Sequence, residues 1–182
     1  MKLLKTKHPK NILNVYRLYL KAFPKNERKP FPFVLLRQWK GTTEVLSIKN
    51  HNGDFLGMAI CVLHNDLVLL AYFAISHDQR GGGIGSKAFQ LLKERYKGKK
   101  FFLEIENTDI SDAPNITQRI KRKDFYLKNG MSELPFIINF FGTEMEVMTN
   151  GVPLTFDDYH SVYKKELGHY ISRKVKFVKY KK

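Results

Sequence analysis

What this chain lacks narrows it first. It holds a single cysteine, Cys61, in 182 residues, so no internal disulfide framework staples it, and a reducing, cytoplasmic location is the expectation. No apolar stretch approaches the ~20 residues of a membrane span, and the opening MKLLKTKHPKN has no apolar core of signal-peptide length. Neither membrane insertion nor export is expected. The six histidines are scattered, without His-Glu-x-x-His or Cys/His pairs, so no metal site is expected. Acid is scarce: 17 Asp and Glu stand against 32 Lys and Arg, a net charge of +15. Such a surplus suits a polyanion, but no RNA-binding aromatic motif accompanies it. A basic protein whose field attracts an anionic ligand is therefore favoured over a nucleic-acid or ribosome binder. The densest charge, Arg173–Lys182, reads as a solvated strand or tail.

What is present describes an ordinary globular chain, 43% hydrophobic and 27% charged, long enough for one domain over 1–182 with a basic C-terminal strand or tail at 168–182. Apolar periodicity predicts helices at 11–23 and about 32–40, then strands at 43–49, 54–64 and 67–76 joined by the turns His51-Asn52-Gly53-Asp54 and His64-Asn65-Asp66. A helix over 86–97, a strand over 101–106 and a helix opening at 111–115 and running to about Lys128 follow. On that last helix Ile116, Ile120 and Leu127 are expected in the core. Strands near 136–141 and 144–149 and a helix at 155–167 complete the chain.

The stretch 67–106 organises the rest. Leu67-Val-Leu-Leu-Ala-Tyr-Phe-Ala-Ile75 has no polar alternation, as in a central strand covered on both faces. It hands over to the helix through Arg80-Gly81-Gly82-Gly83-Ile84-Gly85-Ser86. Backbone N–H groups converging at the positive end of a helix make an anion site, most often for phosphate. Gly83 to Ala88 also satisfies a dinucleotide pattern, with Glu104 about 20 residues on. However, too many residues separate Ile75 from Gly81 for that tight turn, and the unit does not repeat. No Gly-Lys-Ser/Thr of the Walker type occurs.

Arg80-Gly81-Gly82-Gly83-Ile84-Gly85 instead resembles the Arg/Gln-x-x-Gly-x-Gly/Ala signature of the GNAT N-acetyltransferase superfamily, and Tyr126-Leu127-Lys128-Asn129-Gly130-Met131 resembles its Tyr-x-x-x-Gly-Phe element. The resemblance covers about residues 10–150. It implies a mixed α/β (α+β) fold with a mostly antiparallel sheet of about six to seven strands, splayed between the fourth and fifth and flanked by helices. It also implies acetyl-coenzyme A as acyl donor. Arg80 and the N–H groups of Gly81, Gly82, Gly83, Ile84, Gly85 and Ser86 would hold the pyrophosphate, and backbone near Ala74 and Ile75 would pair with the pantetheine arm. The two-helix region would wall the acceptor pocket, which makes Glu27 and Arg28 candidates for substrate contact.

The resemblance makes Tyr126 the acid for the departing thiolate, a role that a phenol of pKa near 10 can fill. Strand 101–106 places Glu104 and Glu106 on one face about 7 Å apart, and either could deprotonate the acceptor amine. Cys61, within an apolar strand, reads as core and not nucleophile, so direct transfer in a ternary complex is expected. The acceptor is a small-molecule or peptide amine of unidentified structure, and the protein a monomer or homodimer. A non-catalytic RNA- or ribosome-binding protein on the same fold is the alternative, and a dinucleotide-dependent enzyme a weaker one.

Overall fold

The computed structural model describes residues 1–181; the last residue of the predicted basic tail, Lys182, lies outside them. The chain divides into two compact units, one formed by Met1–Leu63 with Leu70–Lys97, the other by His64–Leu69 with the residues from Gly98 onward.

The first unit opens with a short strand, β1 (Lys2–Lys5), which the sequence reading did not foresee. Helix α1 (Pro9–Ala22) starts with proline where its missing N–H costs nothing, and His8 caps it by accepting from the Lys10 N–H at 3.3 Å. Helix α2 (Phe31–Trp39) follows, then β2 (Thr43–Lys49), β3 (Phe55–His64) and β4 (Leu67–Ile75), of which His64 and Leu67–Leu69 belong to the second unit. Asn50 and Asp54 close the β2–β3 turn, with the Asp54 N–H donating to Asn50 Oδ1 at 2.8 Å. Helix α3 (Ile84–Arg95) begins two residues earlier than predicted. Side chains alternate along β4: Tyr72 and Ala74 join Val15, Leu18, Tyr19, Phe31 and Val34 of α1 and α2. Phe73 and Ile75 pack with Ile84 and Ala88 of α3. The strand is thus covered on both faces, as its unbroken apolar run requires.

The second unit contains β5 (Lys100–Glu106), α4 (Ile116–Lys128), β6 (Ser132–Phe140), β7 (Thr143–Thr149), α5 (Phe156–Leu167), the single turn α6 (His169–Ser172) and β8 (Val175–Tyr180). The β6–β7 connection is two residues, Phe141 and Gly142, both at positive φ (51° and 98°), the geometry a tight hairpin demands. A capping box at Thr155 and Asp158 starts α5.

The strand order is β1-β2-β3-β4-β5-β7-β6-β8, antiparallel apart from β4 with β5, whose parallel pairing spans the first three residues of each, Leu67↔Lys100 to Leu69↔Phe102. Eight strands replace the expected six to seven, because β1 and the tail strand β8 each add to the sheet. β8 pairs with β6 through a register shift that leaves Val178 between Phe177 and Lys179 as an extra residue, a bulge.

Two expectations for α4 are corrected. The helix starts at Ile116, since 111–115 forms turns and Asn115 directs its side chain to Glu106 and not to the helix end. Ile120 and Leu127 are 46% and 41% exposed and not core. Its inward face is instead Arg119, Arg122, Lys123 and Tyr126, because the strands beneath present the carboxylates of Glu106, Glu133 and Glu146.

Candidate active site

In the first unit, the strand-to-helix turn is built by its glycines. After Ile75, a 3-10 turn at His77–Gln79 leads to Arg80, whose Nε donates to the Ile75 carbonyl at 3.4 Å. Gly83 takes a left-handed conformation (φ 70°, ψ 7°) and serves as N-cap of α3 with no capping side chain, so the first-turn N–H groups lie without intrahelical acceptors. Gly82 is more telling. It lies outside the left-handed region, and a Cβ added to it would meet nothing within 4 Å. Neither a left-handed conformation nor packing within the chain calls for glycine there, and the bare backbone leaves room for a ligand to approach closely. The glycines at 81, 82 and 83 are all exposed.

Gly57 on β3 is glycine for the opposite reason. A Cβ there would run into the carbonyl oxygen of Ala74 and the backbone of Ile75. The far end of β4 is therefore held tightly against its neighbour. The 24–30 loop is also held, chiefly by its backbone. The Tyr72 hydroxyl donates to the Glu27 carbonyl at 2.8 Å and accepts from the Lys29 N–H at 3.2 Å, and the Tyr19 hydroxyl donates to the Lys29 carbonyl at 3.0 Å. The Glu27 side chain is exposed, and the half-buried Arg28 reaches the Leu20 carbonyl at 3.5 Å. Sequence reasoning missed both tyrosines as loop clamps, because the pattern marks them only as apolar-face residues. Cys61 is fully buried, and burial pushes its thiol up to about 12.

In the second unit, the two strand carboxylates separate. Glu106 accepts from Asn115 and pairs with Arg119 at 2.8 Å and Arg122 at 3.4 Å. Glu104 accepts instead from the Tyr163 hydroxyl of α5 at 2.6 Å. Burial, followed by the facing Glu104 charge, pushes the phenols of Tyr159 and Tyr163 well above the usual tyrosine value. Tyr126 is 9% exposed, and burial raises its phenol to about 12 against the opposing pull of Arg122.

A further carboxylate, Glu146, escaped sequence reasoning. It lies opposite Ile105 on β7 and is fully buried. Burial alone would raise its carboxyl, but bonds from Lys123, Thr108 and Lys181 overturn this and draw it down to about 2. The one signal for it was the run of cations on α4, which needs acid beneath it. Among the described residues, no group of three or more His, Cys, Asp or Glu could hold a metal ion, and no helix is long and apolar enough to cross a membrane.

Comparisons with known proteins bear on the fold and the family. No curated protein matches the chain. Among solved structures it is similar to a protein assigned to the GNAT acetyltransferases of Bacteroides thetaiotaomicron, at 17% identity and TM-score 0.75, covering 93% of this chain and 99% of that one. It is also similar to the spermidine N-acetyltransferase of Vibrio cholerae in complex with coenzyme A and spermine (10% identity, TM-score 0.62, 81% and 93% covered). An aminoglycoside 6'-N-acetyltransferase complexed with coenzyme A matches too (13% identity, TM-score 0.63, 85% and 99% covered). Likeness at such identities speaks for the fold. The sequence itself matches the model of the acetyltransferase (GNAT) family over residues 12–115, a span that holds the glycine turn and both strand glutamates, and by that match the chain belongs to the GNAT acetyltransferase family.

Proposed function

We propose that the protein transfers the acetyl group of acetyl-coenzyme A directly to a primary amine. The observation that carries this is the turn at 81–83: an uncapped helix N-terminus behind a glycine, Gly82, that the chain's own packing does not require. The pyrophosphate would lie on the N–H groups from Gly81 to Ser86, with Arg80 beside it, and the pantetheine arm along Ala74 and Ile75.

Glu104 is the better candidate base. Glu106 is already held on both carboxylate oxygens by two arginines and an asparagine. In the reaction the amine nitrogen bonds to the acetyl carbon and gives its proton to Glu104, directly or through water, while the carbon–sulfur bond breaks. Tyr126 serves the departing sulfur as a hydrogen-bond donor. With its phenol near 12 and a thiol near 8.5, full proton transfer from Tyr126 would run uphill, so its contribution is a bond to the developing charge. The buried, protonated Cys61 is a poor nucleophile, which supports direct transfer over an acetyl-enzyme. Glu27 and Arg28 remain the proposed acceptor contacts; the amine they meet is to be found by screening.

Thermal unfolding with acetyl-coenzyme A, coenzyme A, NAD or buffer alone tests the donor assignment. The coenzyme A ligands should raise the midpoint, and Gly82→Glu should abolish that rise while leaving the unliganded midpoint unchanged. No rise at saturating ligand would sink the proposal, and a rise with NAD alone would favour a dinucleotide. A second reading, contact with nucleic acid, has one observation in its favour. Lys174, Lys176 and Lys179 have no acidic partner among the described residues, and Tyr170 and Tyr180 beside them are 81% and 70% exposed.

A further inference from the structure

The family match ends at residue 115, yet the side chain that meets Glu104 comes from α5, well beyond it. Helix α5 is set against β5 by contacts that step along both elements together. Lys100 Nζ donates to Asp158 Oδ2 at 3.0 Å, the Phe102 ring meets Tyr159 edge-on at 6.0 Å, and Tyr163 reaches Glu104. Residues 100, 102 and 104 share one face of the strand, so the helix is registered to that face. Asp158 also belongs to the capping box, so one carboxylate both starts the helix and ties it to the strand. The Tyr163 ring is wedged by Phe140 at 5.1 Å and Tyr159 at 5.4 Å, which fixes the direction of its hydroxyl.

We propose that Tyr163 is a positioning residue for the acetyl-transfer reaction, its hydroxyl holding the Glu104 carboxylate in one rotamer and stabilising its charged form. The inference rests on the assignment of Glu104 as the base. A 2.6 Å bond from a hydroxyl to an ionised carboxylate is short and charge-assisted. It commits Oε1 to α5. The groups that face Glu104 define its titration: Tyr163 and Tyr159 come from α5, with Glu166 facing Tyr163 from the same helix. Val147 lies opposite on β7, and Glu106 lies two residues along β5. Tyr163 supplies the donor that favours the anion, so removing its hydroxyl should make the carboxyl hold its proton to higher pH.

The titration needs no acceptor. In the full chain carrying 13C-labelled glutamate, the side-chain carboxyl carbons are followed across about pH 3 to 9, and the Glu104 signal is the one that Glu104→Gln removes. In Tyr163→Phe, which keeps the wedged ring, Glu104 should titrate about one to two pH units higher than in the parent. Phe156→Leu, which loosens α5 without touching the hydroxyl, should leave the midpoint in place. An unmoved midpoint in Tyr163→Phe overturns the inference, as does an equal rise in Phe156→Leu. In the parent, the Tyr163 hydroxyl proton should exchange slowly and be lost on Glu104→Gln; a fast-exchanging proton counts against the bond even if Tyr163→Phe fails to fold. The two assignments fail separately. Full amine acetylation by Glu104→Gln would remove the base role and leave the titration result standing, whereas an unmoved titration removes Tyr163 and leaves the base role intact.

Discussion

At the scale of single residues, Glu146 has the most determinate chemistry. It accepts from the Thr108 N–H at 2.8 Å and hydroxyl at 2.6 Å, and pairs with Lys123 at 2.8 Å and Lys181 at 3.1 Å. Its folded value near 2 lies below the ~4.3 of a free glutamate. A depressed carboxyl stabilises the fold fully above the unfolded value and loses that contribution as pH falls through the folded one. Glu146→Gln should therefore lower the thermal midpoint at neutral pH. The gap to the parent should close between about pH 4.3 and 2, and a gap of constant size would contradict the assignment. The same scale shows why the site was half legible. Strand alternation put Glu104 and Glu106 on one face but could not tell them apart. Their partners lie 59 residues away in Tyr163, nine away in Asn115 and 16 away in Arg122 of α4, and alternation encodes a face, never what folds onto it.

Among the elements, β4 was read within a residue of its bounds, because an apolar run ending in glycines has few other ways to fold. Strand β1 was missed because four residues bearing two lysines carry no alternation to detect. Helix α4 was misread inward for outward, since its buried face is cationic and periodicity rules assume an apolar one. The element most exposed to a small change is the β3–β4 pair. Gly57→Ala puts a methyl against the Ala74 carbonyl oxygen, a backbone atom that cannot rotate away. It should cost about 1–3 kcal/mol in denaturant unfolding. It should also weaken acetyl-coenzyme A binding in calorimetry, because Ala74 and Ile75 are the proposed pantetheine contacts. Unchanged stability would mean that β4 gives way more readily than its packing indicates.

For the molecule as a whole, charge is the feature that composition announced and the fold distributes. No acid follows Glu166 in the sequence, and of the cations beyond it Lys181 is drawn inward to Glu133 and Glu146. If the remaining lysines meet nucleic acid, affinity for a single-stranded oligouridylate should fall steeply with salt. Replacing Lys174, Lys176 and Lys179 with glutamine should flatten the log–log salt slope by about 2. A slope that does not change, or binding equally strong to anionic vesicles, would dismiss that reading. The bulge at Val178 bears on a different property. β8 ends the strand order, and an edge strand is where another chain's backbone could add. Here the ladder is broken by an extra residue and flanked by Lys176 and Lys179. The consequence is colloidal. Approaching copies meet like charge and a discontinuous row of amides, so the chain should stay dispersed at concentrations where a flat, neutral edge would seed fibres.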